Sequence, residues 1–398
     1  MADPARAPLV NLYPGVETLR ALYEGPAGVT SVVDVRGNLQ LRMDNYYVLG
    51  GDEAATNERR LGLLPLLLHP APARVLFIGL ATGITASAGP ALGVADTTVV
   101  EIVPEVARAA REHFGTWNDE LLARSDVRLV VDDGRRYLQA NDRRFDVVVS
   151  DLFIPWHAGT GSLYAREMYE HRGAAARAGR ALLPMAALYQ LTREEFDVIV
   201  ETFLAVFPHA TLWRDDFYPN RPGRRTRRTC RARTRRPRTR RRAGRRSPDV
   251  GAGFDARGPR GLAMFYAGIL RTVADDFAAA PVNTDDRPVI EFLAPRLTRM
   301  SGPGTRIGSS ASRFAAFYDR SARARSRMSP RRSRAGSREA VEARRAGRSL
   351  FRYVLADAVG DQVAAARLQA EVRAMRASMR LRSQVEMRSP ATGSLRRA

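Results

Sequence analysis

The chain of 398 residues is long enough for one large or two ordinary domains with a sizeable core. Its formal charge of +22 first suggests a nucleic-acid partner, yet 15 arginines between Arg221 and Arg246, with no acid among them, supply +15 of it. All 64 basic residues are arginine; phosphate binding gives no reason to exclude lysine, so the run reads as compositional bias and no specific nucleic acid is expected.

Residues 1–70 read as a small leading β unit with a lead helix. Ser31–Val35 and Leu39–Met43 alternate in polarity and are divided by Arg36-Gly37-Asn38, which predicts a hairpin. "TNERRLGLLPLLL" has helical periodicity. From Arg74 strands and helices alternate: "RVLFIG" a strand, "ITASAGPAL" a helix, "TTVVEI" a strand and "VPEVARAAREHF" a helix. "VRLVVDDG", "RRYLQAN" and "FDVVVSDLF" continue the pattern, and "REEFDVIVETFLAVF" precedes a late strand "HATLWR". Such alternation predicts an α/β fold with a doubly wound parallel sheet covered on both faces. The main domain is expected over 71–296, interrupted at 222–258 by an irregular arginine-rich insert. Residues 297–398 read as a largely disordered Arg/Ser-rich tail with one helix, in "SLFRYVLADAVGDQVAAARLQAEVRAM".

Ligands of an open parallel sheet bind at the carboxyl ends of its strands, so the strand ends carry the candidate site. The first ends in Gly79-Leu80-Ala81-Thr82-Gly83. A dinucleotide fingerprint would need glycine at Ala81 and Ile84, whereas the shorter GxGxG pattern departs only at Ala81. The turn is therefore either an S-adenosyl-type nucleoside cradle or a plain strand–helix turn. Glu101 ends the second strand, as a ribose acceptor or as a solvated acid. Asp132, Asp133 and Gly134 end the third, offering an acceptor and a backbone donor to adenine. Asp151 follows the apolar fourth strand, where an idle carboxylate is costly, and is placed to take a proton. The lone Cys230 and five scattered His lack metal-ligand spacing, so no metal is expected. Neither an 18-residue apolar run nor a signal-peptide core occurs, so a cytoplasmic protein without a membrane span is expected.

Together, "VLFIGLATGITA", "VVEIVPEV", "VVDDGRRYL", "FDVVVSDLFIPWHAGTGSLYAREMY", "LYQLTREEF" and "VNTDDRPVIEFLAPR" resemble the spermidine synthase family. The nearest resemblance is to the soluble domain that some bacterial proteins fuse to a transporter-like membrane half. It implies a methyltransferase-like domain behind a small N-terminal β unit, which moves an aminopropyl group from decarboxylated S-adenosylmethionine to an amine. On that basis Gly79, Ala81, Thr82 and Gly83 form the nucleoside turn, Glu101 binds ribose, and Asp132, Asp133 and Gly134 hold adenine. Asp151 accepts the proton, and Glu58, Pro155, Tyr189 and Gln190 line the amine pocket. A homodimer is left open.

Three positions depart from the family pattern. The second acid before the proline is Ile154, the aspartate of the glycine turn is Thr82, and the Tyr–His–Glu gate is Thr56-Asn57-Glu58. Asp285 or Asp286 could replace a missing amine ligand or serve as a helix cap. Residues 172–187 read as a frame-shifted segment, because codons can be chosen for Ala181 to Ala187 whose neighbouring frame spells the family pattern; 222–258 fits the same explanation. Four readings follow. The first is an aminopropyl transferase, and the second an S-adenosylmethionine methyltransferase of the same fold. The third is a basic nucleic-acid binder, disfavoured because the arginine run carries no aromatics. The fourth is an inactive pseudoenzyme whose altered segment fails to supply the fifth strand.

Overall fold

The computed structural model describes residues 10–44, 47–150, 157–186, 191–214, 228–231 and 265–300, with 345–347, 349, 352–353, 362–371 and 374–375. The leading unit is a four-stranded antiparallel meander of β1 (Glu17–Gly25), β2 (Gly28–Val35), β3 (Asn38–Met43) and β4 (Tyr47–Gly51). Val35 pairs with Asn38, so the loop is only Arg36-Gly37, one residue shorter than expected. Both have positive φ, 53° and 86°, which suits the right-handed twist of paired strands. Tyr23, Val32 and Leu41 of this sheet pack against Val106, Ala109 and Phe114.

Helix α1 (Ala55–Leu68) leads into β5 (Arg74–Ile78). The helix expected over "ITASAGPAL" shrinks to the single turn α2 (Ala88–Ala91). The reason is local: Pro90 has no N–H to donate, and Ala88 and Gly89 bond three residues back, to Thr85 and Ala86. The other elements follow the alternation. They are β6 (Asp96–Glu101), α3 (Pro104–His113), α4 (Gly115–Asn118), β7 (Val127–Val131), α5 (Gly134–Ala140) and β8 (Phe145–Ser150). Next come α6 (Arg166–Ala175), β9 (Ala176–Ala186), α7 (Arg193–Val206), β10 (Thr211–Arg214), β11 (Arg228–Arg231), β12 (Tyr266–Ile269) and α8 (Val289–Met300). The "LTREEF" stretch starts α7 with a capping box, in which Glu195 N donates to the Thr192 hydroxyl and Thr192 N to the Glu195 carboxylate.

The large sheet has the order β12-β10-β11-β9-β8-β5-β6-β7. Strands β9, β8, β5, β6 and β7 are parallel, and β11, β10 and β12 join through antiparallel pairs. Two sequence expectations change here. The segment expected to fail as the fifth strand does supply it, because Ala181–Pro184 pair in parallel with Val147–Ser150. Pairing uses main-chain groups that do not depend on the family side chains. Within the arginine-rich insert, four residues form β11 between β9 and β10.

The chain passes from β5 to β6 on one side and pairs β5 with β8 on the other. The winding reverses there, which opens a crevice beyond the carboxyl ends of β5 and β8. One core, with Leu76, Val148, Tyr169 and Phe203, lies on the α6–α7 face; the other, with Phe77, Val99 and Val149, lies under α1. Tyr353, Ala365 and Leu368 from the far end of the chain join that second core. Among the described residues, no helix is long and apolar enough to cross a membrane.

Candidate functional site

The turn after β5 is built from alternating left-handed residues: Gly79 (φ 92°), Ala81 (φ 49°) and Gly83 (φ 80°). Gly79 N donates to Val100 O at 2.8 Å, and Gly83 N closes the turn on Leu80 O at 2.8 Å. Ala81 is the one member carrying a methyl, in a conformation an L residue enters only at a cost of about 1–2 kcal/mol.

Glu101 turns back towards this loop. Its Oε2 accepts from Leu80 N at 2.9 Å and, more weakly, from Ala81 N at 3.5 Å, while Oε1 accepts from Val103 N at 3.0 Å. At 7% exposure it is not a solvated acid. Burial pushes its carboxyl above the ordinary range, against the opposing pull of the N–H groups of Leu80, Val103, Ala81 and Ile102.

Thr82, one of the three departures named in the sequence, is buried and donates its hydroxyl to Glu58 Oε2 at 2.6 Å. Glu58 Oε1 accepts from Gly51 N at 3.3 Å, and a Cβ at Gly50 would come within 2.7 Å of that carboxylate. Glu58 therefore ties β4 to the glycine turn and is itself 3% exposed. A second acid in place of Thr82 would face this buried carboxylate and lose the hydrogen bond, so the departure at Thr82 has a local partner.

Asp132 and Asp133 follow β7. Asp133 Oδ1 caps α5 by accepting from Arg136 N at 2.7 Å. Asp132 Oδ1 accepts from Asp133 N at 2.8 Å and faces Arg136 Nε at 3.0 Å. Gly134 is fixed by packing, since a Cβ there would lie 2.4 Å from Ile78 Cγ2. The sequence reading passed over two apolar neighbours: Ile102, directly after Glu101, is 60% exposed, and Val131, directly before Asp132, is 52% exposed. The available signal was an apolar side chain adjoining a strand-end acid.

Asp285 is neither a free amine ligand nor a helix cap: its carboxylate is gripped by both terminal nitrogens of Arg135. The buried residue in that segment is Asn283. Its Oδ1 accepts from Ile290 N at 3.0 Å, its Nδ2 donates to Gly161 O at 2.9 Å, and its N–H donates to the Thr202 hydroxyl at 2.9 Å. Glu291 then holds the turn after β8, accepting from Gly159 N at 2.6 Å and Gly161 N at 3.0 Å. Asp151, Ile154, Pro155, Tyr189 and Gln190 lie outside the described residues; Ser150, buried, is the last described residue of β8. No group of three or more His, Cys, Asp or Glu placed to hold a metal occurs among the described residues.

Residues 55–218 match the spermine/spermidine synthase domain family. The chain is 31% identical over 144 residues to polyamine aminopropyltransferase 2 of Hyperthermus butylicus, covering 36% of this chain and 47% of that protein. It is 32% identical over 108 residues to the polyamine aminopropyltransferase of Erwinia tasmaniensis, covering 27% and 38%. The chain thus spans about half the length of such relatives, or less. A crystal structure of spermidine synthase in complex with the transition state analogue AdoDATO superposes with a TM-score of 0.50 at 17% identity. That match covers 71% of this chain and 87% of the other, and shows a shared fold.

Proposed function

We propose, from the match of residues 55–218 to the spermine/spermidine synthase domain family, that the chain transfers an aminopropyl group from decarboxylated S-adenosylmethionine to an amine. The observation that carries the reading is the left-handed turn at the sheet's reversal, locked by the buried Glu101. That arrangement suits a nucleoside better than a dinucleotide, because Ile84 stands where the dinucleotide pattern requires glycine.

In this reading the nucleoside lies across the carboxyl ends of β5, β6 and β7. Glu101 is the ribose acceptor. A carboxylate has about four acceptor sites, and the long contact to Ala81 N is the one most readily shared with a hydroxyl. Ile102 and Val131 offer apolar surface to the adenine faces, and Asp132, Asp133 and the Gly134 N–H offer polar contacts at its edge.

Decarboxylated S-adenosylmethionine supplies the electrophile, a methylene attached to a sulfonium. The lone pair of the acceptor amine forms the new C–N bond while the C–S bond breaks. Its electrons stay on sulfur, leaving neutral methylthioadenosine. The surplus proton on the new ammonium passes to the Asp151 carboxylate, the role taken over from the family resemblance. Pro155, Tyr189, Gln190 and Glu58 are assigned to the acceptor side on the same footing.

The test is product formation from decarboxylated S-adenosylmethionine with a panel of amines, run beside methyl transfer from S-adenosylmethionine. Aminopropylated amine plus methylthioadenosine is the expected result. Methyl transfer alone would replace this reading with a methyltransferase; nucleoside binding without either product would leave a pseudoenzyme.

A further inference from the structure

The glycine turn is gripped from behind by a residue with no assigned part in binding. Asn118, the last residue of α4, is 2% exposed. Its Nδ2 donates to Thr82 O at 2.9 Å and to Ala110 O at 3.3 Å, and its Oδ1 accepts from Leu121 N at 3.2 Å. The fit is close, because a Cβ at Gly83 would come within 3.1 Å of that same Nδ2.

The backbone around Asn118 is strained in order to present it. Asp119 (φ 58°, ψ 41°) and Glu120 (φ 51°, ψ 39°) are consecutive left-handed residues, neither of them glycine. Such residues cost about 1–3 kcal/mol each and persist only where their surroundings over-determine them. The surroundings here are specific. Arg59 of α1 donates to Trp117 O at 2.6 Å and to Asp119 Oδ2 at 3.1 Å, and Glu120 N returns to Gly115 O at 3.0 Å. Gly115 leaves room for the Glu120 carboxylate, which would lie 2.4 Å from a Cβ there. Thr82 is thus fixed at both its polar groups, its hydroxyl by Glu58 and its carbonyl by Asn118.

We propose that Asn118 is a positioning residue for the nucleoside turn: the strained 115–121 segment holds its amide against the Thr82 carbonyl and so keeps Ala81 and Gly83 left-handed before any ligand arrives. A turn already in its binding shape has no ordering cost to meet on binding. The nucleoside part of this inference rests on the function proposed above; the mechanical part does not.

The test separates the two. Hydrogen exchange of the unliganded protein is compared between the peptide spanning 79–88 and that spanning 145–150. Asn118→Ala should speed exchange of the turn amides at least tenfold and leave the β8 peptide unchanged. No change in either, or an equal rise in both, overturns the proposal. Calorimetry with methylthioadenosine, at a temperature where the variant is folded, should show at least tenfold weaker binding; native-like affinity overturns the link to the ligand. Asn118→Asp places a carboxylate against the Thr82 carbonyl. Its affinity relative to native should be lowest near neutral pH and recover as the pH falls and the acid regains a proton to donate. A relative affinity that does not move with pH would assign Asn118 to packing alone. Should Asn118→Ala fail to fold, Asn118→Asp carries both measurements. If the native protein does not bind methylthioadenosine, the proposed function fails, and the exchange result still decides the bracing role.

Discussion

Ala81 and Glu101 act on the same loop with opposite demands. Ala81→Gly removes about 1–2 kcal/mol of left-handed strain but returns freedom to the unfolded chain, worth about 0.4–1 kcal/mol. The expected net effect is a stabilisation of about 0.5–1 kcal/mol in denaturant unfolding, with methylthioadenosine affinity equal or tighter. Glu101→Ala removes the acceptor of the Leu80 and Val103 N–H groups, together with the ribose contact proposed for it. Affinity should fall by about 1–3 kcal/mol by calorimetry, the range for charge-assisted hydrogen bonds. In the proposed reading Ile154 stands where the family's second acid would meet the distal ammonium of a diamine, so putrescine should be a poor acceptor. Ile154→Asp should raise its turnover in the product assay. The strand-end residues Gly79, Gly83, Glu101 and Asp133 were legible in the sequence because strand alternation alone locates them. The roles of Asn118 and Glu58 in holding the turn were not, since each acts across the chain, 36 and 24 residues from Thr82.

At the scale of the element, the leading sheet carries a buried ion pair. Arg42 on β3 donates from both terminal nitrogens to Glu17 on β1, at 3.2 and 2.6 Å. The guanidinium holds the Glu17 carboxyl below its ordinary value of 4.5. Because the folded value lies below the unfolded one, the contribution is complete above pH 4.5 and drains away as pH falls through the folded value. Thermal unfolding between pH 6 and 3 should show native protein losing more stability than Glu17→Gln. In the closing segment, Asn283→Ala should cost about 2–4 kcal/mol in urea titration. It strands Ile290 N and Gly161 O, and buried polar groups left unpaired cost about 1–3 kcal/mol each. Hydrophobic period placed α1, α3, α7 and the parallel strands β5, β6, β7 and β8 correctly, since their apolar faces dominate. It failed at "ITASAGPAL", where only the single turn around Pro90 is helical, and at β9 and β11, whose pairing rests on main-chain groups.

At the scale of the whole molecule, the far end of the chain contributes to the core under α1. Tyr353 and Leu368 each remove a large apolar side chain from water, worth roughly 1.5–3 kcal/mol apiece. Ending the chain at residue 343 should therefore lower stability by about 3–5 kcal/mol, read as a shift of the denaturant midpoint; an unchanged midpoint would show that these contacts add nothing. In sequence this region reads as one helix within an otherwise disordered Arg/Ser-rich tail; that its apolar side chains meet the core under α1 left no local signal, because their partners lie far away along the chain.

The meander of β1 to β4 pairs only with its sequence neighbours, through connections as short as Arg36-Gly37. It can close as soon as it leaves the ribosome, whereas β5 must wait for β8. Yet its apolar face, with Val32 and Leu41, has no cover until Val106, Ala109 and Phe114 have been made. At about 5–20 residues per second that interval lasts several seconds. During synthesis the nascent chain displays a finished sheet with a bare greasy side, and α3 is the segment whose arrival ends that exposure.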